Sequence, residues 1–400
     1  MVIYESRYPV RLFFAMQTAG DQPAVPVFMS RLTKMVKCTA VPKCTAVEKC
    51  TALLIRSVSV KGTAFANSSA LALILAMAIL IPAVASVAEG QDIEHPIRMP
   101  ADFHDVLIYV VPHTENGDTL RFFTDSADGT IMYQGSVDRL GLTTTSAIIQ
   151  DRQQLAAFLP PMNSSYFIPP PLISDGLIPV RPDDRKPSHH RVILGDGDHT
   201  TFTDPGDGIF GSTWFAGRAW TIDFREEAFF VVPTGPDDPA ESFSSTVPLA
   251  FYEEGDERRY HFARLPIVIA GDTLSMVLKT GSHIILEDEA QAELDFDGSL
   301  FPAGLVSESV ADGWRREHPE WNVYEQADRN YGSDLIEIPE IQVGPHVTGP
   351  VHFAVRRDEA FEDWFSQFTD EPVTGALGAD AFRDARITVN YPWSVLIFHE

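Results

Sequence analysis

The chain repeats itself. Gly117-Asp118-Thr119-Leu120 leads through Arg121-Phe122-Phe123-Thr124 into Asp125-Ser126-Ala127. The same tetrapeptide at Gly271-Asp272-Thr273-Leu274 leads through Ser275-Met276-Val277-Leu278 into Lys279-Thr280-Gly281, 154 residues on and without a gap. Downstream, Gly208-Ile209-Phe210-Gly211 and Thr221-Ile222-Asp223-Phe224 mirror Gly375-Ala376-Leu377-Gly378 and Thr388-Val389-Asn390-Tyr391, both at a spacing of 167. Two ordered signatures, each present twice, predict a duplicated domain. At one position the copies differ in charge: Asp125 in the first is Lys279 in the second.

The duplication starts well inside the chain. The apolar run 69–81, preceded by Lys61 and followed by small residues to Ala88, has the order of a secretory signal peptide over residues 60–88. It is short for a membrane span. Before it, Lys37-Cys38-Thr39-Ala40-Val41, Lys43-Cys44-Thr45-Ala46-Val47 and Lys49-Cys50-Thr51-Ala52-Leu53 form a tandem repeat that holds all three cysteines. That repeat has no period a globular core could use, and single cysteines six apart lack paired zinc spacing. Residues 1–59 are therefore expected to be unstructured or a mis-assigned start. The chain is expected to be exported, to the periplasm or beyond. From Glu89 onward it has no cysteine and must fold on its apolar core alone. Its net charge of −26 disfavours nucleic acid and anionic lipid as partners.

From Asp105 onward the pattern is strand-sized. Val106 to Val111 is β-branched and aromatic, Glu115-Asn116-Gly117-Asp118 signals a hairpin, and Thr119 to Thr124 returns. Leu265 to Ile269, the Gly271-Asp272 turn and Thr273 to Leu278 repeat this arrangement. Gly135 to Leu142 predicts a short helix stopped by a glycine, and Glu359 to Phe365 another amphipathic helix. Asp334 to Ile338 and Val351 to Val355 read as strands. Residues 159–188 are too rich in proline for core strands and predict a surface loop or a substrate-covering arm. Pro233 to Ser245 reads as a linker, which sets lobes at 97–235 and 246–400.

An apolar strand ending in Asp-Ser/Thr-Gly, then a glycine-bounded apolar segment and an Ile-Asp-Phe-like strand, resembles the aspartic-protease family in its duplicated, two-lobed form. Both lobes show the pattern over most of their length. The resemblance implies a mostly β fold: two similar β-barrel lobes with short helices and a cleft between them. It also implies a catalytic turn in each lobe, Asp125-Ser126-Ala127 and Lys279-Thr280-Gly281, and places Tyr166 where a flap would contact substrate. In such a site two carboxylates share one proton, so that one activates water while the other donates. No cofactor or metal is implied.

The sequence departs from this pattern twice. Ala127 stands where the first turn has glycine, and Lys279 stands where the second has aspartate. A lysine cannot share a proton as a carboxylate does; it would hold Asp125 ionised. Asp118 and Asp272 read as turn formers, Asp128 as a loop acid near the site, and Asp223 and Asn390 as strand caps. His104, His113, His189, His190 and His199 have no metal-ligand spacing. The expected function is peptidase-like binding of an extended peptide or protein between the lobes, with Asp125 as the surviving acid. The alternatives are a pseudoprotease that binds without cutting, a two-chain site that pairs two Asp125 residues, and an Asp125–Lys279 hydrolytic pair.

Overall fold

The computed structural model describes residues 95–149, 152–163, 176–181, 206–234, 245–255 and 257–399. The segments expected as a leader and a mis-assigned start lie outside this set, as do Tyr166 and residues 235–244 of the expected linker. No helix among the described residues is long and apolar enough to cross a membrane.

The described chain is mostly β and contains the same lobe twice. In the first lobe the strand order is Ala101–His104, Leu107–Val110, Phe122–Thr124, Gly208–Phe210, Ile131–Tyr133, Leu177–Arg181, Arg152–Phe158 and Thr144–Ile149. In the second, Arg264–Ile269, Asp272–Leu278, Gly375–Leu377, Gly304–Ser307, Val351–Arg356, Ser333–Ile338 and Val323–Asp328 follow in the matching order. Parallel and antiparallel pairings match too. Phe122–Thr124 runs parallel to Gly208–Phe210, and Asp272–Leu278 runs parallel to Gly375–Leu377. Each lobe's sheet has two edges, so the lobes are open sheets and not the closed barrels the resemblance implied.

A third sheet joins the lobes. Its centre is the antiparallel pair Ala219–Asp223 and Arg386–Asn390, one strand from each repeat. Thr221 lies directly opposite Thr388, its own counterpart, and their hydroxyls are 2.6 Å apart. A residue facing its own repeat marks an internal two-fold axis. Asp223 and Asn390 end these strands in the same way. Asp223 Oδ1 accepts the Glu226 N–H at 3.1 Å and Asn390 Oδ1 accepts the Trp393 N–H at 3.0 Å, which is the capping role expected of both.

The sequence-level turns hold. Gly117 and Gly271 both adopt φ +91°, open to glycine and strained for other residues. The first predicted helix spans Gln134–Leu140 and stops at Gly141 with φ 61°. The second forms as a π turn, Ala360–Trp364, running into a 3-10 turn, Phe365–Phe368. One expectation fails: within the proline-rich stretch 159–188, Leu177–Arg181 is a strand of the first sheet, with Ile178 fully buried. Pro179 is tolerated there, and its neighbours Ile178 and Val180 supply the apolar contacts. Between the first lobe's sheet and the joining sheet, Phe210, Trp214, Trp220 and Phe229 stack into one aromatic core, with Phe210–Trp214 centroids 4.9 Å apart and Trp220–Phe229 5.3 Å apart.

Candidate functional site

The two turns that follow the equivalent strands meet on the internal two-fold axis. Asp125 N–H donates to the Phe210 carbonyl at 3.1 Å, and Lys279 N–H to that of Leu377, the residue equivalent to Phe210, at 2.9 Å. Asp128 N–H closes the first turn on Asp125 O, and Ser282 N–H closes the second on Lys279 O. The backbones are therefore built alike although the side chains differ.

Ser126 and Thr280 lock the turns to each other. Ser126 N–H donates to Thr280 Oγ1 at 3.1 Å and Thr280 N–H donates to Ser126 Oγ at 3.0 Å. The Ser126 hydroxyl then donates across the lobe junction to Leu278 O at 2.7 Å. All of these groups are buried. Gly281 lets the turns approach: a Cβ there would sit 2.7 Å from Asp125 Cβ, Phe123 Cε1 and Thr124 O. Ala127 faces different surroundings. Its methyl group is buried in an apolar cluster with Val277, Ala376 and Phe361 of the second lobe, so alanine fits where glycine was expected.

Lys279 Nζ donates to Asp125 Oδ2 at 2.5 Å, and the other carboxylate oxygen, Oδ1, accepts the Ala127 N–H at 3.0 Å. The ammonium also lies 3.5 Å from Ala127 O and 3.9 Å from Asp128 Oδ2. Asp128, read from sequence as a loop acid, is thus a second counter-charge, with a side chain 41 % exposed against 3 % for Asp125. Burial pushes the Asp125 carboxyl above its ordinary value, while Lys279 pulls it back. Burial pulls Lys279 down, but Asp125 and then Asp128 outweigh it, and the ammonium is held above its ordinary value. Between these two titrations the pair is ionic.

This arrangement excludes the shared-proton chemistry of two carboxylates. Nζ and Oδ2 touch, so no water sits between them, and both oxygens of Asp125 are engaged within its own chain.

Three features of the site were not singled out in the sequence. The His283 ring lies edge-on to Phe123, with centroids 5.5 Å apart, and its Nδ1–H donates to Gly281 O at 2.7 Å. Burial holds this imidazole down to about 4, so it is neutral at pH 7. Tyr331, at the tip of the hairpin Val323–Asp328/Ser333–Ile338, lies within electrostatic reach of Lys279 and carries the Arg356 guanidinium 4.1 Å above its ring. Residues 283–303 form an extra segment that only the second lobe has. Its signal was only partly present in the sequence: the repeat spacing grows by 13 residues, from 154 to 167, between the two signatures, less than the segment's length.

No family model matches the chain, and no curated protein matches it. Among solved structures, the chain is similar to an aspartic proteinase from Irpex lacteus. They share 9 % identity over 76 % of this chain and 96 % of that one, at a TM-score of 0.40. It is also similar to soybean Basic 7S globulin, with 10 % identity over 76 % of this chain and 93 % of that one, at a TM-score of 0.34. A third similar structure is conglutin gamma, a basic 7S globulin from lupine seeds, with 9 % identity over 76 % and 95 % and a TM-score of 0.37.

Proposed function

We propose that this chain is a pseudoprotease of the pepsin-like type: a two-lobed protein that binds an extended peptide or protein segment without hydrolysing it. The observation that carries the proposal is the Lys279–Asp125 contact of 2.5 Å on the internal two-fold axis. Everything that holds two catalytic turns together is retained, including the reciprocal Ser126–Thr280 bonds. What is lost is the second carboxylate, and with it the acid partner that peptide hydrolysis by such a pair requires. A retained frame with a neutralised centre favours binding over turnover.

The first lobe offers a place for an extended ligand. Among the described residues, Thr144–Ile149 is the edge strand of its sheet, and Ile148 and Leu155 are exposed on one face of the hairpin it forms with Arg152–Phe158. Such an edge supplies backbone donors and acceptors for an added strand, and alternate side chains supply selectivity. We also propose that the protein acts outside the cytoplasm after cleavage near Ala88, on the charged, apolar and small-residue order of residues 61–88. Sequencing the N-terminus of the native protein tests that.

The functional test is incubation with a mixed pool of decapeptides from pH 3 to pH 7, read by mass spectrometry. The proposal expects selective retention of some peptides and no new termini. New termini that vanish in Asp125→Asn would overturn it, because a neutral amide cannot serve as the base.

A further inference from the structure

Alternation along the first lobe's strands defines two apolar faces. Ile108, Val110, Phe122, Met132 and Phe210 point into the main core. Leu107, Tyr109, Phe123, Ile131, Tyr133 and Ile209 point the other way and form a separate buried cluster. This second face borders the candidate site. Phe123 precedes Asp125 by two residues, and Gly281 and His283 of the second lobe pack on its ring.

Among the described residues, the apolar side chains that complete this cluster from outside the first lobe are Leu300 and Ile285. Both belong to the extra segment. Ile131 and Leu305 are equivalent, since they pair with the equivalent residues Ile209 and Ala376. They are 174 residues apart, whereas Asp125 and Lys279 are 154 apart, so the second lobe carries 20 more residues directly after its turn.

The segment is held unevenly. Toward its own lobe it is tied by the backbone, Glu287 N–H to Ala327 O and Arg329 N–H to Ile285 O, both at 2.8 Å, and it is closed on itself by the strand pair His283–Ile284 with Phe301–Pro302. Ile284, Leu286 and Ala290 bury there with Ala327, Leu335 and Ala354. Toward the first lobe it is held by the side chains of Leu300 and Ile285 and, at its start, by the His283 ring on Phe123.

We propose that residues 283–303 are a built-in cover for the first lobe's half of the site, occupying the apolar face on which an extended ligand would lie beside Asp125. The cover travels with the second lobe and parts from the first along the seam made by Ile285 and Leu300. What it excludes rests on the peptide-binding reading above; whether it opens does not.

The test places a reporter under the cover. In the full chain with Cys38, Cys44 and Cys50 changed to Ser, Ile209→Cys sits on the covered face, and its reaction with a soluble aromatic disulfide measures uncovering. Adding Ile285→Ser with Leu300→Ser should speed that reaction by at least about tenfold while the near-ultraviolet signal of the Trp214–Trp220 core stays native. An unchanged rate in a folded variant would overturn the proposal. So would global unfolding caused by the milder Leu300→Ala alone, because it would make the segment an integral part of the core. Immobilised random decapeptides give a second readout, with retention expected to rise in the opened variant. Faster cysteine reaction with no peptide retained by either form would leave the cover standing and refute the peptide-binding reading instead.

Discussion

Ser126 and Thr280 each accept the other's backbone N–H through a side-chain hydroxyl, at 3.1 and 3.0 Å. The relationship is symmetric although the turns that carry it are not: one presents a carboxylate and the other an ammonium. Bonds of this kind, made between buried groups of two lobes, set the distance between the turns before any chemistry is considered. The identity of residue 279 then decides what stands between them.

Ser126→Ala removes the acceptor for Thr280 N–H and the donor to Leu278 O, leaving two buried backbone groups unsatisfied. A loss of roughly 2–4 kcal/mol in unfolding free energy is expected. Denaturant melts of Ser126→Ala and Thr280→Val check it, and the double variant should cost less than the sum of the two because the singles share one network.

Lys279→Met strands a buried carboxylate, and breaking such a pair from one side costs about 3–5 kcal/mol. Changing both partners, Asp125→Leu with Lys279→Met, should recover most of that loss, since the cost lies in the orphaned charge. A double-mutant cycle on thermal unfolding measures the coupling directly.

Gly281→Ala should destabilise by roughly 1–3 kcal/mol through overpacking. The added methyl group would meet Asp125 Cβ, Phe123 and the Thr124 carbonyl, and two of these three contacts cannot swing aside. Ala127→Gly, at the equivalent position in the first turn, should lose only the burial of one methyl group, about 0.8 kcal/mol. Comparing the two melts tests the asymmetry of the turns.

Two buried groups should pull stability in opposite directions with pH. His283 is held down to about 4, so its contribution is complete above 6.5 and is lost as pH falls toward 4. Asp380, where burial outweighs the His352 N–H and Arg383 and pushes the carboxyl up to about 7, contributes fully below 3.8 and loses that contribution as pH rises through 7. His261, also held down to about 4 by burial, acts in the same sense as His283, so unfolding midpoints should fall in the native chain as pH drops from 7 to 4. They should fall more steeply with acid in Asp380→Asn and less steeply in His283→Phe.

The duplication was legible because it rests on local chemistry. Gly117 and Gly271 mark turns, Asp223 and Asn390 mark strand ends, and alternating apolar residues mark the strands between them. The same patterns located Asp125 and Lys279 at equivalent places, and equivalence under a two-fold axis brings them together. Other features depend on packing between distant segments. The strand Leu177–Arg181 is disguised by Pro179 and specified by its neighbours in the sheet, not by its own composition. Leu300 and Ile285 are ordinary apolar residues in an acidic insertion, and nothing local says that they reach the other lobe. Ala127 stands where the pattern has glycine, and only the second lobe supplies the apolar surroundings that its methyl group fits.

The central claim is that Lys279 occupies, as a charged partner of Asp125, the place of a second acid. Carbon-13 NMR titration of the Asp125 carboxyl, in the native chain and in Lys279→Met, tests it most directly. Burial alone raises this carboxyl and the ammonium opposes the rise, so its midpoint should move to higher pH when the lysine is removed. An Asp125 midpoint that stays in place in a folded Lys279→Met variant would contradict the pairing, and with it the proposal that this site binds without cutting.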